Sequence, residues 1–455
     1  MADARFSAGE LAEASGGRWI GVPPADSLGL FSDTRQDGHG KLFLALSGER
    51  FDGHDFLDRA EAAGAAALCV AEAKRSKVSG KLPLLVVDDP LLAYQRIAAF
   101  HRSRFPQLKV AAVTGSVGKT SVKEMIRAIF EEAAGAERVV STIGNTNNQV
   151  GVPQNLLRLT EETRFAVIEM GTSSPGEIEP LSAMAKPDAA LVNTVAPCHL
   201  EKLIDLDGVA REKGSIFFHL QPGGTAVIPA DLPQRAILER AAAGHPQFSF
   251  GSGAKGDFRA TYLSGSLEGS RFQLTFPGGR TFEIAWNLSG EHQSVNAAAA
   301  AGIAFSLGIA PEVIASGLAK TALPGMRMKR SLIGGITYVN DAYNANPRSM
   351  EASLSQFSGL TVEGKLWFVL GGMRELGTAS AAEHQALFET VRRCFPQAGL
   401  VLIGPEFAEV DWPQKFLTAP EAGAWLAREV RSGDMVFAKG SRGNAVELAL
   451  PEGAR

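Results

Sequence analysis

Lys119 and Thr120 close a glycine-bearing stretch, Val110-Ala-Ala-Val-Thr-Gly-Ser-Val-Gly-Lys-Thr-Ser121, whose residue types suit a polyphosphate. Gly115 and Gly118 let the backbone turn tightly, so that the N–H groups around Ser116, Val117 and Ser121 can point inward. The Lys119 ammonium can reach outer phosphates and the Thr120 hydroxyl can hold Mg²⁺. The general P-loop pattern asks for glycine where this chain has Val113; the loop here is a shorter Gly-x-x-Gly-Lys-Thr. The same letters also fit a plain glycine turn before a helix. The strand-loop-helix setting favours a bound nucleotide, read here as ATP.

Other chemistry-bearing residues follow in order. Phe165-Ala-Val-Ile-Glu169 ends a strand in an acid, which suits Mg²⁺ held directly or through water, or simply a solvated strand end. His199 and Glu201 lie just past the strand Ala189–Asn193, where open parallel sheets bind ligands, although a lone His is commonly structural and Mg²⁺ prefers oxygen. Asn145, Asn147 and Asn148 crowd one loop. Their amides can both donate and accept, which suits sugar, peptide or phosphate groups as well as an ordinary loop. His292 and Asn296 are four apart on one helix face, able to frame a base or ribose, or to cap and pack the helix. Asp33, Thr34 and Arg35, followed by Phe51-Asp-Gly-His54, form a polar turn that can bind a ligand or face water. Toward the C-terminus, three polar loops follow strand-like runs: Asp341-Ala-Tyr-Asn-Ala-Asn-Pro347, Gly371-Gly-Met-Arg374 and Lys439-Gly-Ser-Arg-Gly443. Lys439 and Arg442 suit a carboxylate or phosphate. Arg211, Glu212 and Lys213 read, from the chain alone, as the solvated face of a helix over 207–220.

The elements that must position these groups are legible as well. Val122, Met125, Ile126, Ile129 and Phe130 share one helix face directly after the glycine loop. Runs at 42–46, 66–70 and 84–87 suggest a small α/β unit in the first hundred residues, with Pro106 as a linker. Residues 221–290, rich in Gly, Thr and β-branched or aromatic residues, suggest an antiparallel insertion or edge hairpin. Pro324-Gly325 marks a second boundary, and strand runs at 336–340, 366–370, 400–403 and 435–438 predict a Rossmann-like α/β unit. The expected domains are 1–105, 106–324 and 325–455, too long a chain for one core at 455 residues.

Composition narrows the function classes. Forty-five per cent hydrophobic and 21% charged residues describe an ordinary globular chain. A net charge of −4 gives no electrostatic case for nucleic acid or an acidic membrane. The three cysteines, Cys69, Cys198 and Cys394, lie far apart and suggest a reducing compartment. No signal peptide and no membrane span are read. The expectation is a cytoplasmic monomer.

Together these motifs resemble the Mur ligase family, the ATP-dependent amide ligases that build the bacterial peptidoglycan precursor. The resemblance rests on Thr114–Thr120, Glu169, His199, Lys213, His292 with Asn296, and Pro324-Gly-Met-Arg327, in the family's order along nearly the whole chain. It implies three α/β domains: an N-terminal UDP-sugar domain, a central mononucleotide-binding sheet with an antiparallel addition, and a C-terminal Rossmann-like domain for the incoming amine. It assigns Gly115–Ser121, His292, Asn296, Arg327 and Asp341 to ATP. Glu169, His199 and Thr120 fall to two Mg²⁺ ions, and Lys213 to a carbamylated lysine that serves as a further ligand. Lys119, Glu169, His199 and Lys213 become the catalytic set. Four features, Asp33-Thr-Arg35 with Phe51–Phe56, Asn145–Pro153, Glu169-Met-Gly171 with Ser173–Glu177, and Asp341–Pro347, imply UDP-N-acetylmuramoyl-tripeptide and D-alanyl-D-alanine as substrates. Asp33, Thr34, Arg35, Asn145, Asn147, Asn148, Tyr343, Asn344, Asn346 and Lys439 are then the substrate residues. Lys41, Gln293, Met326 and Gly372 depart from the family's usual residues. Rival readings are another ligase on the same scaffold, adding a different amino acid or glutamate to a folate, and a nucleotide-gated scaffold protein that turns ATP over slowly.

Overall fold

Among the described residues three separate β-sheets organise the chain, of five, nine and six strands. The computed structural model describes residues 4–48 and 51–455, so the first three residues of the expected N-terminal unit lie outside the described residues. Among the described residues no helix is long and apolar enough to cross a membrane.

The nine-stranded sheet is centred on Lys109–Thr114, which pairs in parallel with Phe165–Glu169 on one side and Ala189–Val192 on the other. Val110 to Val113 are fully buried, as expected of a strand covered on both faces. The strand runs through the glycine loop into the helix Lys119–Ala134, where Val122, Met125, Ile126, Ile129 and Phe130 are all completely buried. Each such side chain contributes roughly 1.5–3 kcal/mol on burial. The helix packs beside Glu291–Ser306, whose Ala297–Ala301 run is also fully buried. Small alanines let these helices and the sheet approach closely. A third helix, Pro311–Ala319, presses Gly317 against the backbone of Ile129, where any Cβ would overlap it.

Residues 221–290 hold the expected antiparallel edge hairpin, but not all of the segment is antiparallel. Thr225–Pro229 and Gln247–Ser252 extend the central sheet in parallel, with the helix Arg235–Ala241 supplying the crossover. The antiparallel part is confined to Phe258–Gly265, Ser270–Thr275 and Thr281–Trp286. A short parallel strand and an antiparallel one share β-branched and aromatic composition, so composition alone does not separate them.

In the N-terminal sheet four strands run parallel and Arg18–Ile20 joins the edge antiparallel. The aliphatic chain of Lys41 lies over Gly29 of the neighbouring strand. In the C-terminal sheet Ile336–Asn340, Met435–Lys439 and Leu366–Gly371 are adjacent and parallel. Each of the three polar loops named above begins at the end of one of these strands, so all three meet at one sheet edge. Gly399–Ile403 pairs parallel with Leu366–Gly371, and the antiparallel edge strand Lys329–Ile333 and the two-residue Lys415–Phe416 complete the sheet.

Candidate active site

A cavity of about 760 Å³ opens between the central sheet's carboxyl edge and the C-terminal loops. Its wall includes Ser116 to Ser121, Asn145, Asn147, Asn148, Glu169, His199, His292, Asn296, Arg327, Asp341, Tyr343, Asn344, Asn346 and Lys439. Gly115 and Lys213 stand behind the wall. Asp33, Thr34 and Arg35 lie in the N-terminal unit and do not reach it.

The glycine loop is held in shape by the end of the neighbouring strand. Ser116 N–H donates to Thr194 O (2.9 Å) and Val117 N–H to Thr194 Oγ1 (2.8 Å), while Asn193 Nδ2 donates to Val117 O (3.0 Å). Gly118 caps the helix at φ +81°, and a Cβ there would overlap Asn193 Nδ2. This position therefore needs glycine twice, for conformation and for space. The 16-residue helix directs its positive end at the cavity. Lys119 Nζ folds back to Gly115 O at 2.7 Å, within reach of anything the loop holds.

Glu169 is 1% exposed. Its Oε1 accepts from Asn147 Nδ2 at 2.8 Å, whereas Oε2 is buried without a hydrogen-bond partner. An unpartnered buried carboxylate oxygen beside a phosphate loop is costly alone and suits a cation. Among the described residues no three His, Cys, Asp or Glu side chains cluster as a ready metal site, so an ion here must draw on Thr120, water and the nucleotide as well. His199 Nδ1 lies 2.8 Å from Glu375 Oε2, across from the C-terminal loop.

The solvated-face reading of the next helix fails for two of its three charged residues. Glu212 and Lys213 are buried, while Arg211 is exposed. Glu212 accepts from the N–H groups of Gly176, Glu177 and Ile178, capping the helix that begins at Ile178. Burial, and then the nearby Lys119 charge, push the Lys213 ammonium down to about 8. A lysine so placed spends an appreciable fraction of time neutral, the form that can react with CO₂.

An amide relay links the helix Glu291–Ser306 to the loop. Asn193 Nδ2 donates to Asn296 Oδ1 (3.0 Å), and Asn296 Nδ2 donates to Gln293 Oε1 (3.0 Å). Gln293, a departure from the family's usual residue, thus orients Asn296. Burial pushes His292 down to about 4, so its imidazole is neutral.

The C-terminal loops contribute from the opposite wall. Arg327 stacks 3.8 Å over the Tyr343 ring, and its Nε is buried without a partner. Tyr343 O–H donates to Asn145 Oδ1 (3.1 Å), which also accepts from Asn147 Nδ2 (3.2 Å). Met326 O accepts from Tyr343 N–H. Lys439 is buried, with its ammonium on Asp341 Oδ2 (2.6 Å) and Asn344 O (3.2 Å), and Ser353 Oγ donates to Asp341 as well. Lys439 braces the loop, and Arg442 pairs with Glu447. Asn346 and Asn148 spend their side-chain oxygens on nearby backbone N–H groups, at the helix starting at Pro347 and at Gly151. At Gly372 a side chain would overlap the Glu406 carboxylate, which also lies against Arg374.

In the N-terminal unit Arg35 is exposed and pairs with Asp33, whose carboxyl it holds down at about 2. His54 is buried and structural: Nε2 accepts from Ala71 N–H and Nδ1 sits against Asp52.

Among the wall residues given no role from the sequence are Asn193, Thr194 and Glu375. Asn193 and Thr194 directly follow the strand Ala189–Val192 at the same sheet edge as Glu169, a placement that points to ligand contact. Glu375 lies one residue beyond the Gly371–Arg374 loop and carries no motif of its own.

The chain matches three family models: "Mur ligase family, catalytic domain" over residues 29–102, "Mur ligase middle domain" over 113–304, and "Mur ligase, glutamate ligase domain" over 326–442. A protein of Escherichia coli named UDP-N-acetylmuramoyl-tripeptide--D-alanyl-D-alanine ligase is 40% identical over 366 residues, covering 79% of this chain and 78% of its own. A crystal structure of MurF from Acinetobacter baumannii superposes with a TM-score of 0.91 at 32% identity, covering 99% of each chain. MurF from Thermotoga maritima in complex with ADP superposes at 0.81 with 27% identity, covering 92% of this chain and 96% of that one.

Proposed function

This chain belongs to the Mur ligase family, and from that premise we propose how it works: it is an ATP-dependent ligase that joins D-alanyl-D-alanine to UDP-N-acetylmuramoyl-tripeptide in peptidoglycan precursor synthesis. The observation that carries the reading is the single cavity in which the phosphate loop, the Glu169 carboxylate and the C-terminal loops face one another.

A carboxylate and an amine do not condense usefully in water, because oxide is a poor leaving group. Phosphorylation solves this. The tripeptide's terminal carboxylate attacks the γ-phosphorus, giving an acyl phosphate and ADP; the dipeptide's neutral amine then attacks the acyl carbon, phosphate leaves, and a base or solvent takes the nitrogen's proton. Lys119 and the amino end of its helix neutralise charge on the transferring group. Glu169, Thr120 and His199 would hold Mg²⁺, with Lys213 joining them as a carbamate. Bound there, Mg²⁺ supplies charge stabilisation for the phosphoryl oxygens. His292 and Asn296 would frame the base or ribose of ATP, Arg327 and Asp341 would complete its site, and Asn145, Asn147, Asn148, Tyr343, Asn344, Asn346 and Lys439 would serve the substrates. Asp33, Thr34 and Arg35 serve the UDP-sugar from the first of three domains, 1–105, 106–324 and 325–455. The three free cysteines support a cytoplasmic setting.

Phosphate release with ATP, Mg²⁺ and UDP-N-acetylmuramoyl-tripeptide, with and without D-alanyl-D-alanine, tests the proposal. Dipeptide-dependent release with a pentapeptide product by mass is the expected result. Release that ignores the dipeptide, or responds to a free amino acid or a folate instead, would move the chain to one of the rival readings.

A further inference from the structure

We propose that Glu375 is a positioning residue: it docks the C-terminal domain onto His199 and, by that contact, orients the imidazole toward the cavity. The inference rests on the ligase reading above and deepens it. Three observations converge. First, His199 Nδ1 stands 2.8 Å from Glu375 Oε2, a contact between loops of two different domains, and both residues line the cavity. A carboxylate on Nδ1 selects the tautomer protonated there and leaves Nε2 with its lone pair free for a cation.

Second, both partners are held in strained backbone. His199 has φ +51° and Glu375 φ +67°, and Ile204, at the far end of the short turn that His199 opens, has φ +70°. Non-glycine residues in this region cost energy and persist where their surroundings over-determine them. Third, the Glu375 loop is over-determined. Met373 N–H donates to His384 Nε2 (2.8 Å), while His384 Nδ1 lies 2.7 Å from Ser380 O, and Arg374 N–H donates to Ser441 Oγ (2.9 Å). These bonds fix the backbone on the N-terminal side of Glu375. Docking of the amine-bearing domain and alignment of His199 are therefore one event, so phosphoryl transfer is favoured when the acceptor amine's domain is in place.

The test uses the full chain and two readouts. In metal-free protein, imidazole nitrogen NMR, with the His199 signals assigned by difference from His199→Gln, is expected to show Nδ1 protonated in the wild type. Glu375→Ala loses that bias, whereas Glu375→Gln, whose amide oxygen can still accept, keeps part of it. In the assay, Glu375→Ala needs about tenfold more Mg²⁺ for half-maximal phosphate release, and the effect vanishes in a His199→Gln background. A wild-type imidazole without the bias, or a Glu375→Ala effect of equal size in the His199→Gln background, overturns the proposal. A wild type that shows the bias yet releases no dipeptide-dependent phosphate overturns the ligase reading instead, and leaves the contact standing.

Discussion

Lys213 is the residue on which stability and function pull hardest in opposite directions. Its native pKa, about 8, lies below the unfolded value of 10.5. Between those values the unfolded chain binds more protons, so stability rises with pH across that window. Below about pH 8 the full cost stands, on the order of 3 kcal/mol for a shift of this size. Lys213→Met fills the same space without a charge. In bicarbonate-free buffer at pH 7 it is expected to be more stable than the wild type by about 2 kcal/mol in denaturant titration, with the gap closing toward pH 10. The same variant is expected to lose ligase turnover by at least roughly a hundredfold. A lower midpoint at pH 7 would show that the buried ammonium is compensated by its surroundings. Lys119 makes the complementary case. Its ammonium touches only Gly115 O among the contacts described, so Lys119→Ala removes little structure. Loss of a charge aimed at the transferring phosphoryl should cost about 10²–10³ in turnover, with an unchanged melting transition. Normal turnover would remove the glycine loop from the mechanism.

At the scale of elements, the glycine loop shows how a local signal becomes a site. Gly118→Ala is expected to weaken nucleotide binding by about tenfold or more and to destabilise the fold by roughly 1–2 kcal/mol, because φ +81° and Asn193 both oppose a Cβ. Calorimetric titration with ADP and a thermal melt check both halves; full binding in a stable variant would mean that the loop can relax around Asn193. This loop was legible because strand, glycines and amphipathic helix lie within 25 consecutive residues, Val110 to Ala134. The helix face read from spacing is fully buried, and the four C-terminal strands fall where apolar runs placed them. Non-local facts were not legible. The burial of Glu212 and Lys213 comes from partners distant in sequence, the helix at Ile178 that Glu212 caps and the glycine-loop side near Lys119 for Lys213, and no spacing within 207–220 encodes it. Gln293 departs from the expected residue, and its partner explains it only in three dimensions: its Oε1 accepts from Asn296 Nδ2. Parallel pairing of Thr225–Pro229 and Gln247–Ser252 likewise depends on partners distant in sequence from the central strand.

The whole molecule places chemistry between bodies rather than within one. Tyr343 O–H on the C-terminal side reaches Asn145, and through Asn147 the contact continues to the Glu169 carboxylate. Reactants held by separate domains must be brought together, and a closed cavity keeps water from an acyl phosphate. Tyr343→Phe deletes one hydrogen bond across that boundary while keeping the ring under Arg327. Such a bond is worth about 1 kcal/mol, so the docked population should fall about fivefold relative to the open one. The nucleotide's own contacts on the central sheet are untouched. We therefore expect kcat/KM for the dipeptide to fall about fivefold, ADP affinity to stay within about twofold, and solution scattering with nucleotide and UDP-tripeptide to give a larger mean radius than the wild type. Equal losses in ADP affinity and dipeptide efficiency would place Tyr343 in the nucleotide site itself, and the chain from Tyr343 to Glu169 would then be a local brace with no part in closure.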